Sequence, residues 1–194
     1  MSNKSLITSY KIVLVGDTGV GKSSIATQFA NNEFSDFQES TIGAAFFTKS
    51  IEIDGTSYKI DVWDTAGQER YHSLTPMYYR GAKIALIVFD ITNLLSYEKM
   101  KQWSSEIKNS VNNIVITIVG NKIDLEHRRK VSKEDAIEYC RQEGFEYYET
   151  SAKTAENIEL IFEKSIKNIE PEENLETVET LNVHKQIVSR KRCC

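Results

Sequence analysis

Three short runs of almost continuous apolar residues mark the first part of the chain. They are KIVLV at 11–15, IALIVF at 84–89 and IVITIV at 114–119. Runs of this length and β-branched content suit strands that are buried on both faces, as in parallel sheets covered by helices. Helix-length segments alternate with the runs, at 22–31, 96–110, 132–143 and 157–169. The pattern therefore predicts βαβ alternation and an α/β fold.

One segment, 46–64, departs from this pattern. Asp54 and Gly55 stand between two stretches in which apolar and polar residues alternate, and Asp-Gly is a strong hairpin signal. We therefore expect an antiparallel strand pair early in the sheet. Counting by twos puts Phe46 and Trp63 on the polar face, where an aromatic ring is either incidental or part of a binding surface.

Length and composition fit one globular domain with a tail. The chain has 194 residues, of which 40% are hydrophobic and 27% charged, enough for one sizeable core. The periodic pattern ends near Pro171, and the rest is acidic first and basic last, which is typical of a disordered tail. We predict an N-terminal extension at 1–9, a domain at 10–170 and a tail at 171–194.

Charge and cysteine content argue against several classes of protein. A formal net charge of -4 gives no global reason to expect nucleic acid. Three cysteines cannot form a disulfide framework when two of them end the chain, and the N-terminus lacks the apolar region of a signal peptide. No apolar run approaches the roughly 18 residues that span a bilayer. We expect a reduced, intracellular protein that needs an added group to bind a membrane.

The segment GDTGVGKS, residues 16–23 and hereafter the phosphate loop, matches G-x-x-x-x-G-K-[ST] between a predicted strand and a predicted helix. Its glycines allow backbone N–H groups to approach a polyphosphate closely. Lys22 would supply a charge to the terminal phosphates, and the Ser23 hydroxyl can bind Mg²⁺. In this context an ordinary glycine-rich turn is the weaker interpretation. The motif predicts a nucleotide but not its base.

Three further polar motifs follow along the chain: WDTAGQ at 63–68, NKID at 121–124 and TSAK at 150–153. The last two come just after predicted strands, at the carboxyl edge where open α/β sheets bind ligands. Asp64 also ends a strand, where its carboxylate can hold Mg²⁺ through a water. Each motif alone equally fits a strand-end cap, a polar turn or a helix entry.

Together with the phosphate loop, and in this order, the motifs resemble those of the Ras-like small GTPases over about residues 10–170. The resemblance implies a P-loop NTPase small G domain with a mostly parallel six-stranded sheet, one antiparallel strand from the early hairpin, and helices on both faces. It implies an enzyme that binds GTP or GDP with Mg²⁺ and hydrolyses GTP to GDP and phosphate. The nucleotide-binding residues that it implies are Asp17, Thr18, Gly19, Val20, Gly21, Lys22, Ser23, Ser24, Phe34, Thr41, Gly67, Asn121, Lys122, Asp124, Ser151, Ala152 and Lys153.

The resemblance assigns the recognition of guanine to Asp124. Its carboxylate would accept hydrogen bonds from guanine N1–H and the exocyclic amine, and adenine has no such edge. Asn121 and the backbone of Ser151 and Ala152 would hold the purine, and Phe34 would stack on it. The side chains of Lys122 and Lys153 would pack around the base.

The same resemblance implies a metal set and a mechanism. Ser23, Thr41 and Asp64 would hold Mg²⁺, with Thr41 engaged only when a γ-phosphate is present. Gln68 would orient the attacking water, and the Gly67 N–H would contact the γ-phosphate. No arginine finger is evident in the chain, so an activating protein is expected to accelerate slow turnover by a factor on the order of 10³ to 10⁵. Loss of the γ-phosphate would release the segments around Thr41 and Gly67.

Thr18 departs from the family pattern, because Ras itself has glycine there and many relatives have small residues. A threonine would crowd the γ-phosphate region, which leaves the hydrolysis rate and its response to an activator open. A GTP-binding scaffold that does not hydrolyse is therefore one alternative. A metabolic P-loop kinase is another, against which NKID and TSAK argue.

Three segments resemble the Rab branch, specifically the early-endosomal Rab-five type: FQESTIGAAF at 37–46, WDTAGQERYHSLTPMYYRGA at 63–82 and DITN at 90–93. Ala44 and Ala45 are informative, because most Rabs carry a valine and an acidic residue there. In this branch Phe46, Trp63 and Tyr78 would form the aromatic triad that effectors read. The place of Phe46 and Trp63 on the polar face agrees with that role.

The chain ends in RKRCC, in which Lys191 occupies the position where a C-a-a-X signal needs cysteine. Rabs commonly end in paired cysteines instead, so the resemblance implies a geranylgeranyl chain on Cys193 and on Cys194. Two long chains anchor a protein stably, and the basic residues before them add attraction to an anionic leaflet. The other interpretation is an exposed or metal-binding thiol pair, but two thiols without a histidine make a poor zinc site.

The resemblance as a whole implies a monomeric GTP/GDP switch that recruits effectors in vesicle trafficking, at early endosome fusion and endocytosis. Its partners would be an exchange factor, a GTPase-activating protein, a GDP-dissociation inhibitor, the Rab escort protein and effectors. It would lie on the cytoplasmic face of endosomal membranes through its prenylated tail and cycle with the cytosol.

Overall fold

The computed structural model describes residues 8–68 and 75–169 of the chain. The strands are β1 (Thr8–Gly16), β2 (Ala44–Ile53), β3 (Thr56–Thr65), β4 (Ile84–Asp90), β5 (Val115–Asn121) and β6 (Glu146–Thr150). The helices are α1 (Lys22–Asn31), α2 (Thr75–Tyr79), α3 (Leu94–Ser110), α4 (Lys133–Glu143) and α5 (Ile158–Lys167), with a 3₁₀ helix at Ile123–Arg128. The predicted tail, with Cys193 and Cys194, lies outside the described residues.

The six strands form one sheet in the order β2-β3-β1-β4-β5-β6. Only the β2–β3 pair is antiparallel among the strand pairs of the described residues, and the other four pairs are parallel. This topology confirms the predicted fold. Because β1, β3, β4, β5 and β6 run in the same direction, the loops that follow them meet at one edge of the sheet.

Helices cover both faces of the sheet, as the continuous apolar runs predicted. In β1, Ile12 and Leu14 pack with α1 and α5, whereas Val13 and Val15 pack with α2, α3 and α4. Each of these four side chains is at most 1% exposed. Burial of one such side chain contributes roughly 1.5–3 kcal/mol, so a strand that is apolar on both faces is stable only between two helical layers.

The early hairpin also follows the prediction. Asp54 and Gly55 have φ values of 50° and 77° and join Ile53 to its partner Thr56. Positive φ at both central residues is the geometry of a type I′ turn, whose twist matches that of the strands. The resulting register places Phe46 directly opposite Trp63.

Element boundaries differ from the predictions where a side chain caps a helix. The start of α3 lies at Leu94 rather than at residue 96, because the Asn93 side chain accepts hydrogen bonds from the backbone N–H groups of Leu95 and Ser96. Ser132 is the cap of α4 rather than its first residue, and it accepts from the Asp135 N–H. The short α2 and the 3₁₀ helix were not predicted, since neither is long enough to show a period.

The first strand and the last helix also differ in extent from the predicted segments. Strand β1 begins at Thr8, before the apolar run at 11–15, because Thr8 pairs with Tyr58 of β3. Helix α5 is Ile158–Lys167 rather than 157–169. Within 8–68 and 75–169, no helix is long and apolar enough to cross a membrane.

Candidate functional site

A cavity of about 480 Å³ lies at the carboxyl edge of the sheet and is hereafter the nucleotide cavity. The phosphate loop, residues 32–43 and the loops after β3, β5 and β6 border it. The predicted nucleotide-binding residues that line it are Thr18, Gly19, Gly21, Lys22, Ser23, Ser24, Phe34, Thr41, Gly67, Asn121, Lys122, Asp124, Ala152 and Lys153. The other three, Asp17, Val20 and Ser151, are sequence neighbours of that lining.

Lys22 marks the phosphate end of the cavity. Its side chain is buried, and Nζ donates hydrogen bonds to the backbone oxygens of Gly16 at 2.9 Å and Asp17 at 2.8 Å. Burial lowers the pKa of Lys22 to about 8, against the opposing charges of Asp64 and Asp17. A Cβ atom on Gly67 would lie 2.5 Å from this Nζ and also 2.5 Å from the backbone carbonyl carbon of Asp17, so no side chain fits there. The ammonium is thus held in place by the loop that would surround a phosphate.

The three predicted metal ligands meet beside Lys22. Ser23 Oγ donates to Asp64 Oδ2 at 2.6 Å, Thr41 Oγ1 donates to the same oxygen at 3.0 Å, and the two hydroxyls are 2.8 Å apart. Burial raises the pKa of Asp64, and the hydrogen bond from Ser23 opposes that rise. Among the described residues, nothing hydrogen-bonds to the buried Oδ1 of Asp64. A set of oxygen donors with one orphaned carboxylate oxygen fits Mg²⁺.

Asn121 joins two loops at the other end of the cavity. Its Nδ2 donates to the Val20 carbonyl at 2.9 Å, and its Oδ1 accepts from Thr150 Oγ1 and from the Ala152 N–H, both at 3.2 Å. Gly21, with φ 98°, permits this approach, since a Cβ there would lie 2.3 Å from Nδ2. The Asn121 amide therefore ties the phosphate loop to the TSAK loop, a role that sequence reasoning did not assign.

Asp124 and its neighbours form the predicted base-binding end. Ser151 Oγ donates to Asp124 Oδ1 at 2.7 Å, which connects the NKID and TSAK loops. Lys122 Nζ donates to the Gly19 carbonyl at 2.7 Å. Lys153 Nζ lies 5.8 Å from the centroid of the Phe34 ring, within the range of a cation–π contact. The structure therefore brings the predicted base-binding residues together around one space.

An ion pair that connects the NKID and TSAK loops was not predicted from the sequence. The Arg129 guanidinium donates to both carboxylate oxygens of Glu149, at 2.9 and 3.1 Å, and Tyr147 Oη donates to Glu149 Oε1 at 2.7 Å. The Arg129 and Glu149 side chains are only 17% and 11% exposed. Arg129 follows NKID and Glu149 immediately precedes TSAK, so this ion pair holds the two loops in register. Spacing along the chain carries no signal for it.

Gln38, which was not predicted to have a role, connects residues 32–43 to helix α1 beside the cavity. Gln38 accepts a hydrogen bond from Ser24 Oγ at 2.8 Å and donates to Thr27 Oγ1 at 3.3 Å. Both partners lie on α1. The Ser24 hydroxyl, predicted to face the nucleotide, is thus engaged by this loop.

Phe46, Trp63 and Tyr78, the aromatic triad, form a continuous surface outside the cavity. The Phe46 and Trp63 ring centroids are 5.4 Å apart, and those of Trp63 and Tyr78 are 6.0 Å apart. Phe46 is 52% exposed, and the neighbouring chain positions Ile42 and Met77 are 80% and 70% exposed. An exposed aromatic ring that continues into two half-buried rings is the arrangement expected of an interaction surface.

Gln68 and Thr18 are the remaining residues of the predicted site. Gln68 is half-buried next to Gly67 and is the last residue described before 75. Thr18 is exposed and lines the cavity beside Gly19. The position of Thr18 is compatible with the predicted crowding of the phosphate end.

A buried lysine in a glycine-rich loop, hydroxyl and carboxylate oxygens beside it and a second carboxylate at the far end of the same α/β cavity are the arrangement expected of a nucleotide-binding P-loop protein. Residues 11–171 match the model of the family described as Ras family. The chain belongs to the Ras family of small GTPases, and it is a GTP-binding enzyme that hydrolyses GTP.

Individual relatives give the branch of that family. The chain is 49% identical over 176 residues to Ras-related protein RABF2b of Arabidopsis thaliana, covering 89% of this chain and 87% of the relative. It is 48% identical over 176 residues to GTP-binding protein ypt5 of Schizosaccharomyces pombe, covering 89% and 83%. It is 45% identical over 170 residues to Ras-related protein Rab-5A of Dictyostelium discoideum, covering 87% and 85%. It is therefore a Rab5-type small GTPase, a GTP/GDP switch of vesicle trafficking.

Proposed function

We propose that this switch acts at early endosomes and that its nucleotide-dependent part is the cavity described above. The observation that carries the proposal is the convergence on one cavity of Lys22 and the metal set at one end and the Asp124–Ser151 pair at the other. A ligand that satisfies both ends has several phosphates and a base that donates hydrogen bonds to a carboxylate.

At the phosphate end, Lys22 and the backbone N–H groups of the phosphate loop bind the β- and γ-phosphates. Ser23, Thr41 and Asp64 hold Mg²⁺, which when bound supplies positive charge to the phosphate oxygens. Gln68 orients the water that attacks the γ-phosphate. Because this chemistry depends on positioning and charge, hydrolysis without an activating protein is slow.

At the base end, Asp124 reads guanine through N1–H and the exocyclic amine. The Ser151 hydroxyl keeps the carboxylate in place, and Asn121 fixes the loop whose backbone faces the purine. Phe34 stacks on the base, with the side chains of Lys122 and Lys153 packed around it. Adenine is rejected because it cannot donate the two hydrogen bonds that the half-buried Asp124 carboxylate accepts from guanine.

Strands β2 and β3 connect the loops at the third phosphate to the aromatic triad, where effectors bind. Thr41 precedes β2, which carries Phe46, and Gly67 follows β3, which carries Trp63. A change at the third phosphate therefore alters loops that are continuous with the aromatic triad. Effectors bind the triphosphate form there, while an exchange factor and a GTPase-activating protein act on the same loops.

Membrane attachment comes from the end of the chain. Cys193 and Cys194 carry geranylgeranyl groups, which require the Rab escort protein for their addition. A GDP-dissociation inhibitor removes the prenylated GDP form, so the protein cycles between the cytosol and the cytoplasmic face of endosomal membranes. The paired terminal cysteines and the names of the Rab5 relatives support this part of the proposal.

Mass spectrometry of the nucleotide that copurifies with the full chain in Mg²⁺ tests the core of the proposal. Guanine nucleotides are expected, and adenine nucleotides at comparable amounts would contradict it. The cellular part is tested by locating the N-terminally tagged chain with and without the changes Cys193→Ser and Cys194→Ser. The double variant is expected in the cytosol, and its retention on endosomes would refute the role of the cysteines.

A further inference from the structure

Lys99 of helix α3 contacts Asp17, the second residue of the phosphate loop. Lys99 Nζ lies 3.1 Å from Asp17 Oδ1, and the same oxygen accepts the Thr18 N–H at 2.8 Å. The Asp17 side chain is 13% exposed and that of Lys99 is 39% exposed. The carboxylate is therefore largely removed from water and held by two donors.

An acidic residue at this place needs an explanation, because the loop binds a polyanion. The Asp17 backbone carbonyl accepts a hydrogen bond from Lys22 Nζ at 2.8 Å, and the Asp17 carboxylate is close enough that its charge raises the pKa of Lys22 against the effect of burial. A negative charge this close competes with phosphate for that ammonium and repels the phosphates themselves. The repulsion is stronger in a partly buried site than in water, since the effective dielectric constant is lower.

We propose that Lys99 is a positioning residue that neutralises Asp17 and thereby preserves the affinity of the phosphate loop for a nucleoside polyphosphate. The inference rests on the nucleotide binding proposed above. Lys99 acts through Asp17 rather than by touching the nucleotide. The effect is larger for the triphosphate than for the diphosphate, because the triphosphate carries more negative charge.

A matched ion pair on the same helix provides the control. Lys108 lies near the end of α3 and pairs with Glu143 at 2.9 Å, and neither residue lines the nucleotide cavity. Removing either lysine removes one positive charge and one ion pair from α3. Of the two lysines, only Lys99 contacts the phosphate loop.

The test measures dissociation of fluorescent GDP and GTP from the full-length chain in Mg²⁺, at low salt and in 1 M salt (~3 Å screening length). Lys99→Met is expected to accelerate dissociation at low salt by about three- to tenfold, more for GTP than for GDP. The acceleration shrinks in high salt. Lys99→Arg, which keeps the charge, is expected to restore slow dissociation, whereas Lys108→Met leaves the rate near that of the unchanged protein.

Asp17→Asn separates charge compensation from packing. Asparagine keeps an oxygen for the Thr18 N–H but carries no charge, so Lys99→Met in this background is expected to add little acceleration. The inference is overturned if Lys99→Met matches Lys108→Met, or if Lys99→Met is equally harmful in the Asp17→Asn background. Lys99→Gln replaces Lys99→Met if the latter does not fold. A wild-type chain that holds no guanine nucleotide would instead refute the proposed function, which the copurification measurement shows separately.

Discussion

The hydroxyl of Ser151 donates a hydrogen bond of 2.7 Å to Oδ1 of Asp124, which lies 27 residues earlier in the chain. The parallel pairing of β5 with β6, in which Asn121 stands opposite Thr150, brings the two loops together. Ser151 is fully buried, so the carboxylate is oriented before any ligand arrives. The proposed recognition of the base therefore depends on the register of β5 and β6 as much as on the NKID motif.

Asp124→Asn is expected to lower the affinity for GDP by at least about 100-fold, because an amide N–H would then face guanine donors. The same amide can donate to the 2-carbonyl of xanthine, so the variant should bind xanthosine diphosphate (XDP) more tightly than GDP. Competition of labelled GDP by unlabelled GDP and XDP measures both effects. Asp36→Asn is the control, since Asp36 borders the same cavity and pairs with Lys153 at its exposed rim. Unchanged GDP affinity in Asp124→Asn would remove the assigned role.

Arg129→Met is expected to lower the free energy of unfolding by about 2–4 kcal/mol, because the largely buried Glu149 carboxylate would keep only the Tyr147 hydroxyl and Lys133, whose Nζ lies 3.8 Å away, as partners. This corresponds to a fall in Tm of roughly 5–10 °C for a domain of this size. Faster release of GDP should accompany it, since the NKID and TSAK loops lose one of the contacts that connect them. Thermal unfolding and nucleotide dissociation report the two effects.

Arg141→Met is the matched control for that variant, because Arg141 forms an ion pair with Glu138 while its side chain is 70% exposed. An exposed pair of this kind contributes little, so Tm and dissociation should stay close to those of the unchanged protein. Equal effects of the two arginine changes would show that the Arg129–Glu149 pair is no more than a surface contact.

Gln68→Leu is expected to abolish most GTP hydrolysis while nucleotide binding is retained, because leucine cannot orient the attacking water. Single-turnover phosphate release from GTP-loaded protein measures the rate, and GDP affinity serves as the check on folding. Hydrolysis at the unchanged rate would exclude the role given to Gln68.

Trp63→Ala is expected to abolish capture of effectors by the GTP-loaded protein and to leave GTP binding intact. Trp63 lies between Phe46 and Tyr78, so its removal separates the two outer rings of the triad. Leu95→Ala removes a side chain that is 61% exposed on α3, outside the triad, and should leave capture unchanged. Normal capture by Trp63→Ala would contradict an effector role for this surface.

The Cys140 thiol is expected to resist alkylation in the native protein. Burial raises its pKa to about 12, with the charge of Glu146 adding to the rise. Only the thiolate reacts, so about one molecule in 10⁴ is reactive at pH 8. The rate should rise tenfold per pH unit up to about 12, whereas in denaturant it should level off near pH 9. Iodoacetamide labelling of the Cys193→Ser, Cys194→Ser variant measures this, and fast native labelling at pH 8 would contradict the burial.

Local signals predicted most of the fold. Strands buried on both faces produce continuous apolar runs, and the Asp54-Gly55 turn requires residues that accept positive φ. The phosphate loop was equally accessible, since its glycines and Lys22 lie within eight consecutive residues. The start of α3 was misplaced because Leu94 and Leu95 are 53% and 61% exposed, so they do not extend the apolar face of the helix. Asn93 was the available signal for that start.

The sequence by itself determined the α/β class, the hairpin and the phosphate loop, because each depends on neighbouring residues or on a fixed local spacing. The residues expected to bind a guanine nucleotide came from the resemblance of its motifs to those of the Ras-like small GTPases. Only the tertiary structure decided which distant polar side chains support them. Lys99 meets Asp17 across 82 positions and Arg129 meets Glu149 across 20. From the sequence alone, any exposed lysine could pair with any aspartate. Strand order and register decide which lysine and which aspartate come within 3–4 Å of each other with water excluded, and the periodicity of the sequence does not contain that information.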